Sequence, residues 1–184
     1  MDRELVIQAR GGDHDAFARL AAGSIGRLNA IARLILIDQS RVEDAVQDAL
    51  VDAWRNLRGL RDPDRFDAWL TRILVRSCQD MRRLDRRRRL IELPLADNDP
   101  GSGDLQASVA VTDQLERGLR RLTVDQRTVL VLSYYLDLSL ADAAATLGIP
   151  VGTMKSRLNR AVDALRASID ATDRLPGYQA ERLA

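Results

Sequence analysis

Cysteine is nearly absent. Cys78 is the only one in 184 residues, so no intramolecular disulfide and no cysteine-built metal cluster can form. Histidine is as scarce: His14 stands alone beside the Gly11-Gly12 break, where a solvated side chain is expected. No nucleophile–base or acid–base set recurs at useful spacing, so neither catalysis nor a metal or other cofactor is expected. Aromatic residues make up 4% of the chain, and few stretches alternate in the β-branched pattern of strands. No apolar run approaches the ~18 residues of a membrane span. The opening MDRELVIQARGGDHD lacks the apolar stretch of a signal peptide. These absences set the expectation of a non-enzymatic, all-α protein in a reducing, cytoplasmic setting.

Net charge is +1, which by itself says nothing about nucleic acid. The distribution says more. Residues 1–92 hold 18 Arg against 15 acids, residues 93–112 hold three Asp and no base, and residues 113–170 hold eight bases against seven acids. The middle stretch, LPLADNDPGSGDLQASVAVT, is rich in Asp, Gly, Ser and Pro and reads as a flexible acidic linker between two small helical domains, residues 1–92 and 113–170. Apolar residues, at 46%, suffice for two cores.

The stretch SLADAAATLGIPVGTMKSRLNRAVDALR, from Ser139 to Arg166, reads as two helices joined by a tight turn. Ser139 and Asp142 have the spacing of a capping box. Leu140, Ala143, Ala144 and Leu147 form an apolar stripe, and Gly148 sits where a left-handed cap is needed. Ile149 is expected to plug the turn, and Pro150 suits the first turn of the next helix. In that helix Val151, Met154, Leu158, Val162 and Leu165 are expected to pack. Lys155, Ser156, Asn159 and Arg160 share the opposite face, with Arg157 at the flank, placed for phosphate. One face packing and one cationic face is the layout of a DNA-reading helix-turn-helix; the alternative is a plain helical hairpin with a solvated charged face.

Upstream, residues 2–11 read as a short helix with Leu5, Val6 and Ala9 on one face, broken at Gly11-Gly12-Asp13. A longer apolar pattern from Asp15 to Ile37 contains Gly23 and Gly26 as possible interruptions. Ser40 with Glu43 predicts a capping box opening a helix from Arg41 to about Leu57. On that helix Asp44, Gln47, Asp48 and Asp52 form an acidic outer stripe, either merely solvated or a docking face for a basic partner; Trp54 reads as a core or rim anchor. After the polar turn GLRDPDRF a helix runs from Asp67 into an arginine tract with six Arg between Arg82 and Arg89. Its outer stripe is Arg72, Arg76, Gln79 and Arg83, with Phe66 and Trp69 at its start. That pattern suits phosphate contact and base stacking on opened DNA; the alternative is a solvated Arg-rich end. Cys78 falls on the packing face. Beyond the linker, Leu115, Leu119 and Leu122 are expected to pack inward, Thr123 and Gln126 to form a capping box, Val129, Leu130, Leu132 and Leu136 to fill a core, and Tyr134 and Tyr135 to pack. Residues 172–184 read as a frayed tail.

Three segments, EDAVQDALVDAW (43–54), FDAWLTRILVRSCQDMRR (66–83) and VGTMKSRLNRAVDALR (151–166), together with their order around the linker, resemble the extracytoplasmic-function (ECF) group of the sigma-70 family of RNA polymerase sigma factors over roughly residues 4–168. The resemblance implies a sigma-2-like domain and a sigma-4-like domain. It implies docking of Asp44, Gln47, Asp48, Asp52 and Trp54 on the β′ coiled coil of core RNA polymerase, with the β flap as a further polymerase contact. Arg65, Phe66, Trp69, Arg72, Arg76, Gln79 and Arg83 would then read and melt the −10 element of promoter DNA. Thr153, Lys155, Ser156, Arg157, Asn159 and Arg160 would read the −35 element in the major groove. An anti-sigma factor is a further implied partner, and the polymerase-bound form would be a monomer. Many family members carry Asn where this chain has Arg76, and aromatic residues in the segment Leu28–Arg33; these departures bear on −10 sequence preference. Two other classes fit the residues without the resemblance: a dimeric helix-turn-helix regulator, and a helical adaptor that never touches DNA. The two basic helices argue against the adaptor.

Overall fold

The computed structural model describes residues 2–91 and 110–173, with side chains described for residues 2–81 and 115–170. The chain forms two compact units, residues 1–97 and 98–184, and no strand occurs among the described residues. Residues 93–109 of the expected linker, the side chains of the arginine tract and residues 174–184 of the expected tail lie outside the described residues, whereas residues 110–112 already belong to a helix and residues 172–173 end one.

The first unit comprises α1 (Arg3–Arg10), α2 (His14–Leu36), α3 (Gln39–Asn56) and α4 (Phe66–Ile91), with short 3₁₀ turns at Leu57–Gly59 and Pro63–Arg65. Three aspartates start the first three helices. Asp2, Asp13 and Asp38 each accept a backbone N–H at 3.0 Å, from Glu4, Ala16 and Ser40. The expected Ser40–Glu43 box is therefore corrected to an Asp38 cap, and α3 starts earlier, at Gln39. A carboxylate at the positive end of the helix dipole outcompetes a hydroxyl, and the Ser40 hydroxyl itself donates to Asp38 at 2.9 Å. Gly23 and Gly26 do not break α2. Each costs about 1 kcal/mol against alanine, a loss offset by burying Leu20, Leu28, Ile31 and Ile35 on the same helix.

The small residues Ala45, Ala49 and Ala53 are fully buried on α3, which lets it pack on both α2 and α4. From α4 come Phe66, Leu70, Leu74, Val75 and Cys78, all buried. Burial pushes the Cys78 thiol up to about 12, as expected for a small core residue that does not ionise.

The second unit comprises α5 (Ala110–Arg120), α6 (Val124–Leu130), a π-helical turn at Val131–Tyr135, α7 (Leu140–Leu147) and α8 (Val151–Asp173). The Thr123–Gln126 box is complete: Thr123 N donates to Gln126 Oε1 at 2.8 Å and Gln126 N to Thr123 Oγ1 at 3.3 Å. Helix α8 packs on α5, α6 and α7. Gly118 permits the α5–α8 crossing, since a Cβ there would stand 3.0 Å from Ile169 Cγ1 and 3.2 Å from Ser168 Oγ; the Ser168 hydroxyl donates to the Gly118 carbonyl at 3.1 Å. Arg127 is buried, and its Nη1 donates to the carbonyls of Leu119 and Leu122 at the end of α5. Burial pushes this guanidinium down to about 10, so it stays charged at neutral pH.

Four packing expectations are corrected here. Tyr134 and Tyr135 are 69% and 54% exposed, Leu115 is 44% and Val151 is 48% exposed. The tyrosines are turned outward by the π-helical turn, where Leu136 N bonds Val131 O at 2.9 Å. One extra residue in the turn shifts the helical phase by about 100°, so the core face ends at Leu132.

Candidate nucleic-acid and docking surfaces

The turn between α7 and α8 is built as its residues dictate. Ser139 Oγ accepts from Asp142 N at 3.1 Å and donates to Asp142 Oδ2 at 2.6 Å. Gly148 adopts φ 65°, ψ 36°, the left-handed cap that a side chain would strain. Ile149 N then bonds Ala144 O at 3.1 Å, and Met154 N bonds Pro150 O at 3.0 Å. Ile149 is half-buried rather than a fully buried plug. The two helices pack together, and Ala143, Ala144, Met154 and Ala161 are all buried.

That packing leaves Lys155, Ser156, Arg157, Asn159 and Arg160 exposed on α8, with Thr153 half-buried at their edge. Arg160 lies back along its own helix, with Nε donating to Ser156 O at 3.2 Å. Ser156 Oγ donates to Thr153 O at 3.0 Å. These bonds are local and water-exposed, so releasing them to meet a base edge is inexpensive. Asp163 on the same helix is held by Arg166 at 3.6 Å.

On α4 the stripe Arg72 and Arg76 is exposed, with Gln79 half-buried. Arg65 is exposed and pairs with Asp62 at 3.6 Å. The side chain of Arg83 lies outside the described ones. Phe66, expected among the DNA contacts, is 1% exposed and belongs to the core. Its ring lies 6.0 Å from that of Trp69, so Phe66 underpins Trp69, which is half-buried and offers the accessible aromatic surface of this face. Helical spacing carries this distinction: Phe66 stands at i, i+4 and i+8 with the buried Leu70 and Leu74, whereas Trp69 stands three and seven residues before Arg72 and Arg76.

On α3, Asp44, Gln47, Asp48 and Asp52 are exposed along one side; Asp52 approaches Arg55 at 3.9 Å. Trp54 is half-buried, with its ring centroid 4.4 Å from His14 and 5.0 Å from Phe17. His14, expected to be merely solvated, thus covers one face of this indole while remaining exposed. Beside the acidic stripe runs a groove of about 270 Å³ between α3 and α4, lined by Asp48, Val51, Asp52, Arg55, Asp80 and Met81 among others. Val51, 40% exposed, gives this face an apolar component that charge spacing alone did not reveal. No helix among the described residues is long and apolar enough to cross a membrane.

Comparison with known proteins gives the same order of parts. Residues 24–89 match the family model for Sigma-70 region 2, and residues 112–165 match that for Sigma-70, region 4. The chain is 36% identical over 160 residues to the ECF RNA polymerase sigma factor SigM of Mycobacterium tuberculosis, covering 87% of this chain and 80% of that one. It is 35% identical over 182 residues to the RNA polymerase sigma factor CnrH of Cupriavidus metallidurans, covering 92% and 95%. Among solved structures, CnrH in complex with the cytosolic domain of CnrY aligns with a TM-score of 0.59 at 33% identity, covering 92% of this chain and 97% of that one. The sigma factor RpoE in complex with the anti-sigma factor NepR from Bartonella quintana aligns with a TM-score of 0.63 at 26% identity, covering 84% and 96%.

Proposed function

Because the chain belongs to the ECF group of the sigma-70 family, RNA polymerase sigma factors that act in transcription initiation, we propose the following division of labour among its surfaces. Residues 1–92 form the sigma-2-like domain, residues 93–112 the linker and residues 113–170 the sigma-4-like domain. Asp44, Gln47, Asp48, Asp52 and the rim of Trp54 dock on the β′ coiled coil of core polymerase, and the second domain meets the β flap. Arg65, Trp69, Arg72, Arg76, Gln79 and Arg83 engage the −10 element. Thr153, Lys155, Ser156, Arg157, Asn159 and Arg160 engage the −35 element.

The observation that carries this reading is a pair of exposed cationic helix faces, one in each unit, with an acidic helix face beside the first. Arg72 and Arg76 supply salt-dependent phosphate contact, each neutralised phosphate adding about −0.9 to the slope of log affinity against log salt on duplex DNA. Trp69 supplies a stacking surface for an unstacked base, worth about 1–3 kcal/mol against the few kcal/mol that unstacking costs. Each good base contact from Lys155, Asn159 or Arg160 discriminates by about 1–3 kcal/mol. Function is selective binding, with no covalent step by this chain.

The two solved relatives named above were each captured with a second protein, CnrY or the anti-sigma factor NepR. By extension an anti-sigma factor restrains this chain by covering its polymerase-docking surface, and the chain works in the cytoplasm as one copy per polymerase. The test is capture of core polymerase by the tagged full chain. Asp48→Arg reverses a charge on the docking face and abolishes capture, whereas Arg72→Ala and Arg160→Ala retain it. Normal holoenzyme yield with Asp48→Arg would overturn the docking assignment.

A further inference from the structure

A polar bridge ties α2 to the start of α4. Arg27, on α2, donates from Nη1 to Thr71 Oγ1 at 3.0 Å and from Nη2 to Asp67 Oδ1. The Thr71 hydroxyl is 40 or more residues away in sequence yet is fully committed: it accepts from Arg27 and donates to the Asp67 carbonyl at 2.8 Å. Thr71 is 7% exposed, while the Arg27 and Asp67 side chains are 36% and 42% exposed. One guanidinium thus grips two successive turns of α4 from behind.

The position of that grip matters. Asp67 and Thr71 lie one above the other, whereas Trp69, Arg72 and Arg76 lie about 140–200° round the helix from Asp67. The apolar contacts of Leu70, Leu74 and Cys78 fix α4's distance from its neighbours but resist rotation about its axis weakly, since apolar attraction is non-directional. A bidentate guanidinium bridge has directional geometry. A rotation of about 10° at the helix's ~6 Å outer radius moves a side chain by about 1 Å, enough to take a hydrogen bond out of its range.

We infer that Arg27 is a positioning residue for −10 recognition: through Asp67 and Thr71 it sets the rotation of α4 that presents Trp69, Arg72 and Arg76 to opened DNA. This rests on the assignment of α4 as the −10 reader. Arg27 touches no DNA in this account; it acts through the helix it holds.

The test uses the full chain with core polymerase on a promoter selected with that holoenzyme, reading DNA opening by permanganate reactivity of −10 thymines. Arg27→Met slows opening about three- to tenfold, the scale of one charge-assisted hydrogen bond between partly exposed groups. It also narrows the ratio of opening rates between the selected −10 element and a single-base variant, while polymerase capture is unchanged. Arg27→Lys, which keeps the positive charge but loses the planar fork that reaches two acceptors at once, restores part of both. The paired variant Arg27→Met/Asp67→Met removes the unpaired carboxylate and recovers folding stability, yet its discrimination stays narrowed. If discrimination returns with stability, or if Arg27→Met opens DNA with wild-type selectivity, the positioning role is overturned. Arg72→Ala and Arg76→Ala separate the two layers. If these impair opening and Arg27→Met does not, only the positioning claim fails; if these leave opening unchanged, the α4 assignment fails and the positioning claim with it.

Discussion

Replacing Phe66 separates a core residue from a DNA contact. The ring is 1% exposed at the first position of α4, so Phe66→Ala removes nearly a whole buried aromatic side chain. Such truncations cost about 3–5 kcal/mol, transfer and cavity terms together. A unit of this size has only about 5–15 kcal/mol in total. At about 4–8 °C per kcal/mol for a domain near 100 residues, the first unit should lose at least about 12 °C in Tm. Phe66→Leu keeps most of the buried volume and should cost about 1–2 kcal/mol. The assay follows from composition: the chain's two tryptophans, Trp54 and Trp69, both lie in the first unit, so urea unfolding by tryptophan fluorescence reports that unit alone, and Trp69 lies 6.0 Å from the mutated ring. Run-off transcription at a temperature where each variant is folded supplies the second readout. Phe66→Leu should retain most promoter opening, whereas Trp69→Ala should lose it at modest cost in stability. A wild-type unfolding midpoint for Phe66→Ala, or a well-folded Phe66→Leu that cannot open DNA, would refute the assignment of Phe66 to the core.

Arg127→Met withdraws the donor that the buried Leu122 carbonyl uses; the loss of about 1–3 kcal/mol exceeds what removal of a desolvated charge regains. The second unit should therefore melt earlier in far-UV circular dichroism, by a transition that tryptophan fluorescence does not follow. Cys78 should resist an aromatic disulfide reagent at pH 8 in the native chain and react once urea unfolds it. Its folded-state pKa is raised from 9.0 to about 12, so the unfolded state loses the proton first. Stability is thus fully present below pH 9 and declines as pH rises toward 12; the urea midpoint of the first unit should fall over that window more steeply than in Cys78→Ala. Arg160→Ala, at an exposed position, should lower −35-dependent initiation by the equivalent of about 1–3 kcal/mol with unchanged unfolding; unchanged promoter binding would count against the groove assignment.

The parts of this fold legible in the sequence are those decided within one or two turns. The Thr123–Gln126 box, the Ser139 cap, the left-handed Gly148, the apolar pattern of α2 and the packing-face position of Cys78 all rest on residues at most a few positions apart, where periodicity and capping chemistry operate. The rest is set at long range or by a phase change. One exception is local: Phe66 falls in register with the buried Leu70 and Leu74, and Trp69 with Arg72 and Arg76, so grouping both rings with the stripe misreads the spacing. Tyr134 and Tyr135 point outward because a π-helical turn resets the register, which a constant 3.6-residue period does not anticipate. The lone carboxylate of Asp38 displaced the expected Ser40 cap by charge. Arg127 is buried because the end of α5 supplies it with carbonyls, a contact that no stripe or cap in the sequence announces. The Arg27 bridge joins residues 40 and 44 positions apart, beyond the reach of any local pattern. The candidate DNA faces were legible because cationic residues recur at helical spacing, but the groove between α3 and α4, with Val51 and Met81 beside Asp48 and Asp80, required the packing of two helices.

The central claim is that this chain confers promoter selectivity on core RNA polymerase through two separate readers. Run-off transcription with purified core polymerase tests it most directly, on the selected promoter and on versions with the −10 or the −35 element scrambled. The account predicts no specific product from core polymerase alone, a product when the chain is added, and loss of that product with either scrambled element. Absence of product with the chain present, together with tight binding of the chain alone to palindromic DNA as a dimer, would contradict it.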